Sequence, residues 1–416
     1  MKFLNIFFLL LATSFLSAQT VKINDRLVLY IPFDNYPLVD KSGNNNFVRF
    51  SGDSTLNCGV NGAGAMKFDG LTANGTNGLI VGSSLTDVFK TGDFSMSFYI
   101  RPSTQGGSQT QDLFSKRTSC NSDSASFAVR YTPNTNTMSV ELIQNSAARH
   151  VIVQRLDFAK CWQHVVIVRN FNRLLLYVNG KLKQTNTYSL PKRINITNDK
   201  SFFQIANSPC ALDRKYLGSL DELRLYDRAI NEDEVAALYY SPDQIATRDT
   251  IIFLGDVVKT SITSTCATDF TWTPKDDIAD NKKAATTITP TKGGDFKYVL
   301  TMKEAQCSSV DTLKVKVVDP KDLDCGKVYM PSAFTPNGDD VNNEFFISNP
   351  NAIEAITAFE ILDNWGGRIF YTTNKFERWD GSFNGKTVNP GVFLWKVRYK
   401  CRGQELSAFG TVTVLK

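Results

Sequence analysis

The sequence predicts an all-β protein. In the run 393–400, aromatic and aliphatic side chains alternate with basic ones, which is the period of a half-buried strand. Asn179-Gly180 and Asn384-Gly385 each stand between such runs, and Asn-Gly is a strong signal for a two-residue β-hairpin turn. A helix signature occurs after Asn231, which is a good N-cap with Glu234 at the third helical position, and it predicts one short helix.

The 416 residues suffice for roughly two to four domains, and the patterns favour three. The first unit is predicted at 22–240, the second at 245–319 and the third at 325–416. No Gly/Ser-rich linker marks either junction, so the boundaries depend on two X-Pro steps. Ser241-Pro242 is expected to stop the helix, and Asp319-Pro320 to close the second unit.

The N-terminus has the pattern of a Sec signal peptide, predicted at residues 1–18. Lys2 precedes an apolar run, and the small residues Ser17 and Ala18 follow it. No later stretch reaches the roughly 18 apolar residues of a transmembrane helix, so the mature chain is expected to contain none. The net charge of +5 is dispersed, without a basic patch, and nucleic-acid binding is therefore not expected.

Eight cysteines behind a signal peptide predict disulfides, and none has the C-x-x-C spacing of a zinc site. Each predicted unit contains an even number: Cys58, Cys120, Cys161 and Cys210 in the first, Cys266 and Cys307 in the second, Cys325 and Cys401 in the third. Even counts predict that every unit closes its own bridges, so we expect Cys266–Cys307 and Cys325–Cys401.

The third unit contains five motifs in order: MPSAFTPNGDDVNNEFF at 330–346, FEILDNWGGRIF at 359–370, WDG at 379–381, PGVFLWKVRYK at 390–400 and GTVTVLK at 410–416. This series resembles the gliding-motility-associated C-terminal domain, the type B sorting domain of type IX secretion. The resemblance assigns the sorting motif to Pro336, Asn337, Gly338, Asp339, Trp365, Gly366, Trp379, Asp380, Gly381, Pro390 and Gly391.

The resemblance implies export through the type IX outer-membrane machinery to the medium or the cell surface. Asp340 stands where this family usually has Gly, and Asn343 where it usually has Asp. The polar residues at 337–343 could form a calcium loop, but the EF-hand spacing is absent and a turn is favoured.

The first unit resembles a laminin-G-like, concanavalin-A-type jelly roll. The resemblance depends on six runs: FDG at 68–70, DFSMSFYIR at 93–101, LFSKR at 113–117, WQHVVIVR at 162–169, LLLYVNG at 174–180 and LDELRLY at 220–226. Loops after Arg117 and after Asn207 meet at one rim of such folds, which implies Cys120–Cys210 and leaves Cys58–Cys161. FTWTP at 270–274 and FKYVLT at 296–301 resemble a PKD/Ig-like spacer, with Trp272 in its core near Cys266–Cys307. The predicted fold class is thus a jelly roll followed by two smaller Ig-like β-sandwiches.

The jelly-roll family includes glycan binders and glycosidases, and the residues favour binding. A retaining glycosidase needs two carboxylates about 5 Å apart, and an E-x-D-x-x-E strand pattern is absent. Asp221 and Glu222 are adjacent and should point to opposite faces, with Glu222 in solvent. We therefore expect an adhesive module for a polysaccharide or surface glycan, with a glycoside hydrolase and a structural surface component as alternatives.

Polar loops at 106–112, 121–124 and 207–214 are the candidate binding loops, although ordinary solvated loops have the same composition. Trp162 and His164 are expected to be structural. The family resemblance also implies a structural calcium ion at Asp221, with Asp34 and Asp69-Gly70 nearby. Asp221 is expected to share an inward face with Leu223 and Leu225, where its carboxylate needs a cation or a hydrogen-bonded turn.

Overall fold

The structure is a computed structural model that describes residues 21–415 apart from 52–53, 63, 71–77, 82–84, 86, 104–106, 122, 157–160, 190–191, 198–200, 211–213, 305–306 and 340. The predicted signal peptide and parts of the three candidate loops lie outside the described residues. The described chain is all-β, as the alternating patterns predicted, with one short α-helix. None of its helices is long and apolar enough to span a membrane.

Two sheets, antiparallel except for the pair β15–β7, pack face to face in the first unit. Their strands are β1 Leu27–Ile31, β2 Val48–Ser51, β3 Ser54–Asn57, β4 Ala65–Asp69, β5 Gly78–Val81, β6 Phe94–Pro102, β7 Gln111–Arg117, β8 Ser126–Thr132, β9 Thr137–Ile143, β10 Arg149–Arg155, β11 Gln163–Asn170, β12 Arg173–Val178, β13 Lys181–Thr187, β14 Phe203–Ile205, β15 Arg214–Lys215 and β16 Leu217–Tyr226. The first sheet has the order β13-β12-β11-β6-β16-β4-β3, with β1 beside β16. The second has the order β10-β9-β8-β7-β14-β5-β2, with β15 beside β7.

The core of this sandwich lies between the sheets and is rich in phenylalanine. Phe98 of the first sheet meets Phe114 of the second edge-on, with ring centroids 4.7 Å apart. Phe94 meets Phe127 in the same way at 5.4 Å. Aromatic pairs in this geometry stabilise beyond the burial of their area, so the rings fix the spacing of the sheets.

The predicted short helix and hairpin turn are both confirmed. Helix α1, Glu232–Ala237, begins at Asn231, whose side chain accepts from the Glu234 N–H at 2.9 Å while Glu234 Oε2 accepts from the Asn231 N–H at 2.9 Å. Asn179 and Gly180 connect β12 to β13 with φ of 50° and 73°. Positive φ at both positions is what a type I′ hairpin turn requires.

The second unit contains β17 Thr250–Phe253, β18 Val258–Lys259, β19 Asp269–Thr273, β20 Thr287–Ile288, β21 Gly294–Glu304 and β22 Cys307–Val318. The sheet β17-β22-β21-β19 faces the short pair β18-β20. Trp272 is in the core of this unit, fully buried, as predicted, and its Nε1 donates to the Lys283 carbonyl at 3.0 Å. The PKD/Ig-like resemblance of this unit stays a prediction.

The third unit contains β23 Ala333–Phe334, β24 Ala355–Leu362, β25 Arg368–Thr372, β26 Ser382–Phe383, β27 Lys386–Thr387, β28 Gly391–Cys401 and β29 Gln404–Val414. Five of these strands form a sheet of order β23-β29-β28-β24-β25, and β26 pairs with β27 through the predicted Asn384-Gly385 turn.

All eight cysteines are paired, but two of the four expected pairs are wrong. Cys120–Cys210 and Cys325–Cys401 are present. In place of Cys58–Cys161 and Cys266–Cys307, the structure has Cys58–Cys266 and Cys161–Cys307, which cross from the first unit to the second. The expectation was wrong because an even number of cysteines in each unit does not show which units are in contact.

The crossing bridges fix the second unit against the outer face of the first sheet. The β21–β22 hairpin ends at Glu304 and Cys307, and Glu304 forms an ion pair with Arg101 of β6. Next to this pair, Ser309 Oγ accepts from the Cys161 N–H at 3.2 Å and donates to Asp243 at 3.2 Å. The first two units therefore form one covalently joined body.

Candidate functional site

The candidate loops lie around β7 of the second sheet, with the described residues of 106–110 leading into the strand and those of 121–124 following it. The Cys120–Cys210 bridge joins the loop after β7 to the loop after β14, and Arg117 donates to Ser208 Oγ at 2.9 Å beside it. Arg214 of β15 pairs with Gln111 and donates to Gln109. Segment 207–214 is thus connected to the loop after β7 by the disulfide and to 106–112 by Arg214.

A row of polar side chains crosses the outer face of the second sheet. Gln204 is opposite Ser115, Ser115 is opposite Ala128, and Ala128 is opposite Glu141. The neighbours of each along its strand, such as Phe203 and Ile205 beside Gln204, point into the core, so the row faces outward. Ser115 and Ala128 at its centre are 0 % and 1 % exposed, so the row is accessible at its Glu141 end rather than at its centre.

Two arginines and two carboxylates form a fixed network along this row. Asp112 accepts from Arg117 at 3.1 Å and from Arg130 at 2.9 Å. Arg130 also donates to both oxygens of Glu141, at 2.9 and 2.8 Å. Asp112 is 1 % exposed and Arg117 8 %, whereas Arg130 and Glu141 are about one-fifth exposed. The two positive and two negative charges of the network cancel, and its accessible edge consists of Arg130 and Glu141.

Two polar atoms of the row have no hydrogen-bond partner among the described residues. They are Ser115 Oγ and Gln204 Oε1, both buried and on directly opposed residues. A buried polar atom without a partner costs about 1–3 kcal/mol, so a polar group from outside the chain, either water or a ligand, would stabilise each of these two atoms. Sequence reasoning missed both, because an alternating polar residue on a strand looks like any solvent-facing one.

The two histidines lie away from this face, as expected for structural residues. His164 is fully buried on the outer face of the first sheet, with Nε2 2.9 Å from Ser97 Oγ and its ring stacked on Tyr99 at 4.6 Å. Burial, with the charge of Arg224, lowers the pKa of His164 to about 3, so the ring is neutral. Trp162 beside it is 2 % exposed.

The expected faces of Asp221 and Glu222 are wrong because β16 contains a bulge. Asp221 is opposite Tyr99 and Arg224 is opposite Ser97, so β16 holds one extra residue between these pairs, and Glu222 has φ of 53°. Leu223 remains in the core, whereas Asp221 faces outward like Tyr99. A bulge reverses the alternation of faces beyond it, which the sequence pattern did not reveal.

Glu222 is buried rather than solvent-facing. It is 1 % exposed and forms a 2.6 Å ion pair with Arg224, whose side chain is 6 % exposed. Tyr30 and Tyr240 donate to its carboxylate at 3.0 and 3.3 Å, and the Arg224 guanidinium lies 4.1 Å from the centre of the Tyr30 ring. Burial lowers the pKa of Arg224, but the negative charge of Glu222 and the neighbouring tyrosines raise it by a larger amount. The net shift of this pKa is therefore upward. This pair is structural.

Asp221 has both a hydrogen-bonded turn and oxygen atoms that suit a cation. Its oxygens accept from the N–H groups of Val60 at 2.7 Å and of Glu222 at 2.8 Å. A Cβ on Gly59 would lie 2.7 Å from Asp221 Oδ2 and 2.1 Å from the Gly64 carbonyl oxygen, so carboxylate and carbonyl oxygens surround one small space. Oxygens of this kind are calcium ligands. Burial raises the pKa of Asp221 to about 8.

The other acids named for this site are arranged differently. The Asp34 carboxylate lies against Gly62 and 3.9 Å from Lys41, and its backbone carbonyl is the atom next to Gly64. Asp69 is opposite Leu217, four residues along β16 from Asp221. Among the described residues no three His, Cys, Asp or Glu side chains form a metal cluster. The calcium ion stays a prediction.

Most of the sorting motif residues have structural roles in the third unit. Trp379 is 1 % exposed, and its Nε1 donates to the Ser382 carbonyl at 2.8 Å. A Cβ on Gly381 would lie 2.9 Å from Pro336 Cγ, so the WDG and PNGD motifs touch. Asn343 Oδ1 accepts from the N–H groups of Asn337 and Gly338 at 3.1 and 2.9 Å, which is the turn favoured above.

The remaining motif residues are in turns or at strand ends. Asp339 accepts from Asn337 Nδ2 at 2.9 Å, and this contact and the Val341 N–H lower the pKa of Asp339. Asp380 accepts from the Ser382 N–H at 2.9 Å. Pro390 and Gly391 lead into β28, and Gly366 has φ of 80°. Trp365 is solvent-exposed.

Comparison with protein families decides the nature of the third unit. Residues 328–414 match the CHU_C type IX secretion signal domain. The protein is therefore exported through the type IX pathway and is secreted or held at the cell surface. Residues 73–236 match the concanavalin A-like lectin/glucanases superfamily, which agrees with the two-sheet sandwich of the first unit. Below, 328–414 is called the secretion signal domain.

Solved structures with similar folds are distant in sequence. Domain 4 of AbnA, a GH43 extracellular arabinanase from Geobacillus stearothermophilus, is 19% identical over 51% of this chain and 98% of its own, with a TM-score of 0.38. The receptor binding domain of botulinum neurotoxin D is 13% identical over 93% of this chain and 76% of its own, with a TM-score of 0.44. No functional argument rests on such scores. No curated protein matches this chain.

Proposed function

We propose that this exported protein binds a glycan on the outer face of the second sheet, along the row of Gln204, Ser115 and Glu141, whose accessible edge is formed by Arg130 and Glu141. The observation that carries the proposal is the pair of buried polar atoms without partners, Ser115 Oγ and Gln204 Oε1. One sugar hydroxyl can donate to the amide oxygen and accept from the serine hydroxyl at once. The lectin and glucanase superfamily match of residues 73–236 supports the same ligand class.

The charge of the site favours a neutral sugar over an acidic one. Arg117 and Arg130 are already engaged by Asp112 and Glu141, so the central guanidinium groups serve as fixed hydrogen-bond donors rather than as unpaired cations. A uronic acid would have to compete with these carboxylates for them. We therefore infer a neutral polysaccharide or surface glycan as the ligand.

Binding is favoured over hydrolysis on the same grounds. A glycosidase needs one protonated carboxyl group as an acid and a second carboxylate on the same face. The two carboxylates here both accept hydrogen bonds from Arg130, so one guanidinium engages both of them as acceptors. The network therefore acts as a scaffold that orients donors for a hydroxyl-rich ligand.

The test uses the full chain on a glycan array, then calorimetric titration with the glycan that binds. Ser115→Ala and Gln204→Ala should each weaken the affinity about 2- to 12-fold, the effect of one lost hydrogen bond of about 0.5–1.5 kcal/mol. Neither should lower the melting temperature, because both atoms lack a protein partner. Release of reducing ends from the same glycan, measured in parallel, would instead show a hydrolase.

Ser97→Ala is the matched control. Ser97 is a buried serine of the first sheet whose Oγ has a partner in His164, so its loss should lower the melting temperature and leave the affinity unchanged. An unchanged affinity in the Ser115→Ala, Gln204→Ala double variant would contradict the proposal.

A further inference from the structure

Trp365 has no structural role in the secretion signal domain that would explain its size. Its side chain is 95 % exposed, more than any other large hydrophobic residue that the structure describes. Trp379, another tryptophan of the sorting motifs, is 1 % exposed and packs against Phe334 and Phe393. Isolated exposed hydrophobic residues are common, but a fully exposed tryptophan within a recognition motif calls for a partner.

The turn that carries Trp365 is held rigidly. Asp363 Oδ1 accepts from the N–H groups of Trp365 at 2.9 Å and of Gly367 at 2.7 Å. The Asp363 N–H donates to the Gly367 carbonyl at 2.8 Å, and Gly366 takes φ of 80°. A Cβ on Gly367 would lie 2.8 Å from Asp363 Oδ2, so glycine is needed there. The exposed ring is thus presented on a fixed support, which reduces the entropy lost on binding.

The sheet next to this turn has an apolar outer face. Leu362, the residue before Asp363, is opposite Leu394 of β28. Leu394 is 46 % exposed, Val392 is 47 % exposed, and Phe409 of β29 is 81 % exposed. Alternate residues of a strand share a face, so Val392 and Leu394 continue one apolar stripe along β28.

The same stripe becomes basic further along β28. Lys396, Arg398 and Lys400 are exposed on the face that carries Leu394, and Lys396 is opposite Phe409. No ion pair with an acidic residue in the described part of the chain involves any of the three. Glu360 is opposite Lys396 and Glu405 is opposite Lys400, but these glutamates contact Arg368 and Thr357. Apolar side chains beside the cations match a protein cleft that is apolar at its centre and acidic at its border.

We propose that this surface is the one that the type IX secretion machinery reads. It consists of Trp365, Val392, Leu394 and Phe409, bordered by Lys396 and Arg398, and is called the Trp365 face below. A folded signal domain can be recognised only through exposed groups, and these exposed groups do not stabilise its core. The partner is a machinery protein with an apolar pocket for Trp365 and carboxylates opposite the two cations. The proposal rests on the family match of residues 328–414 and not on glycan binding.

The test measures export of the full chain in a bacterium that has the pathway. Trp365→Ala and the Leu394→Ser, Phe409→Ser double variant should each reduce the exported fraction at least tenfold and accumulate in the periplasm. Lys396→Glu with Arg398→Glu should also reduce export, because the partner's border is acidic. Each purified variant should keep the melting temperature of the parent, since the replaced side chains are exposed.

Phe376→Ala is the matched control, since Phe376 is an aromatic residue of the same domain that is 55 % exposed outside the Trp365 face. It should be exported like the parent. Normal export of Trp365→Ala and of the double variant, in a strain where deletion of 325–416 blocks export, would refute this surface and leave the signal role intact. If the purified chain floats with anionic lipid vesicles, or dimerises, and Trp365→Ala abolishes this, the occupant is a lipid surface or a second copy and the proposal is wrong.

Discussion

Replacement of Glu222 by alanine should destabilise the first unit strongly, although the strand pattern places this residue in solvent. The change leaves Arg224 charged and 6 % exposed, without its 2.6 Å partner. It also removes the acceptor for the hydroxyl groups of Tyr30 and Tyr240. Glu222→Ala therefore tests whether the buried ion pair of the bulged strand exists.

The expected magnitude follows from burial. Breaking a buried ion pair by removing one partner costs about 3–5 kcal/mol, because the remaining charge is left without compensation. An exposed glutamate would cost within about 0.5 kcal/mol. Each kcal/mol shifts the melting temperature of a unit of this size by about 2–4 °C, so a fall of roughly 10 °C separates the two cases.

The assay is differential scanning calorimetry of the full chain, followed by urea unfolding. Glu232→Ala is the control, because Glu232 is exposed in the first turn of α1 and should change stability by only a few tenths of a kcal/mol. Glu222→Met with Arg224→Met should recover more than half of the loss, since an apolar pair leaves no buried charge. A loss below about 1 kcal/mol for Glu222→Ala would refute the reasoning.

Three further outcomes are expected. The pKa of Asp221 is about 8 in the folded chain and about 3.9 in an unfolded one. Between pH 4 and 8 the folded state therefore binds a proton that the unfolded state has lost. Stability should fall as the pH rises through this window. Asp221→Asn should flatten this slope in a pH series of melting temperatures. If calcium restores stability at pH 8 in the parent but not in this variant, Asp221 binds the ion. If calcium has no effect, the hydrogen-bonded turn is favoured. Non-reducing peptide mapping should recover Cys58 with Cys266 and Cys161 with Cys307, and Cys161→Ala with Cys307→Ala should cost about 2–4 kcal/mol; bridges confined to single units would contradict the structure. Deletion of 325–416 should leave the remaining chain folded in the periplasm, and its normal appearance outside the cell would refute the export role.

Local features of the fold could be predicted from the sequence because they depend on neighbouring residues. Asn179-Gly180 predicted a turn since both positions adopt positive φ, and Asn231 with Glu234 predicted the helix start since their side chains reach each other's backbone. The sorting motifs likewise predicted the secretion signal domain, because their order is a property of the chain itself.

The tertiary structure alone decided the partners that distance along the chain conceals. Cys58 pairs with Cys266 only because the second unit packs on the first sheet, and no count of cysteines encodes that packing. Gln204 lies opposite Ser115 because β14 inserts beside β7, so the unpartnered atoms of the proposed binding face come from strands far apart in sequence. The bulge at Glu222 buries a charge that alternation places in solvent. Local patterns fix turns and strand faces, whereas pairings between distant strands and units depend on the free energy of the whole packed core.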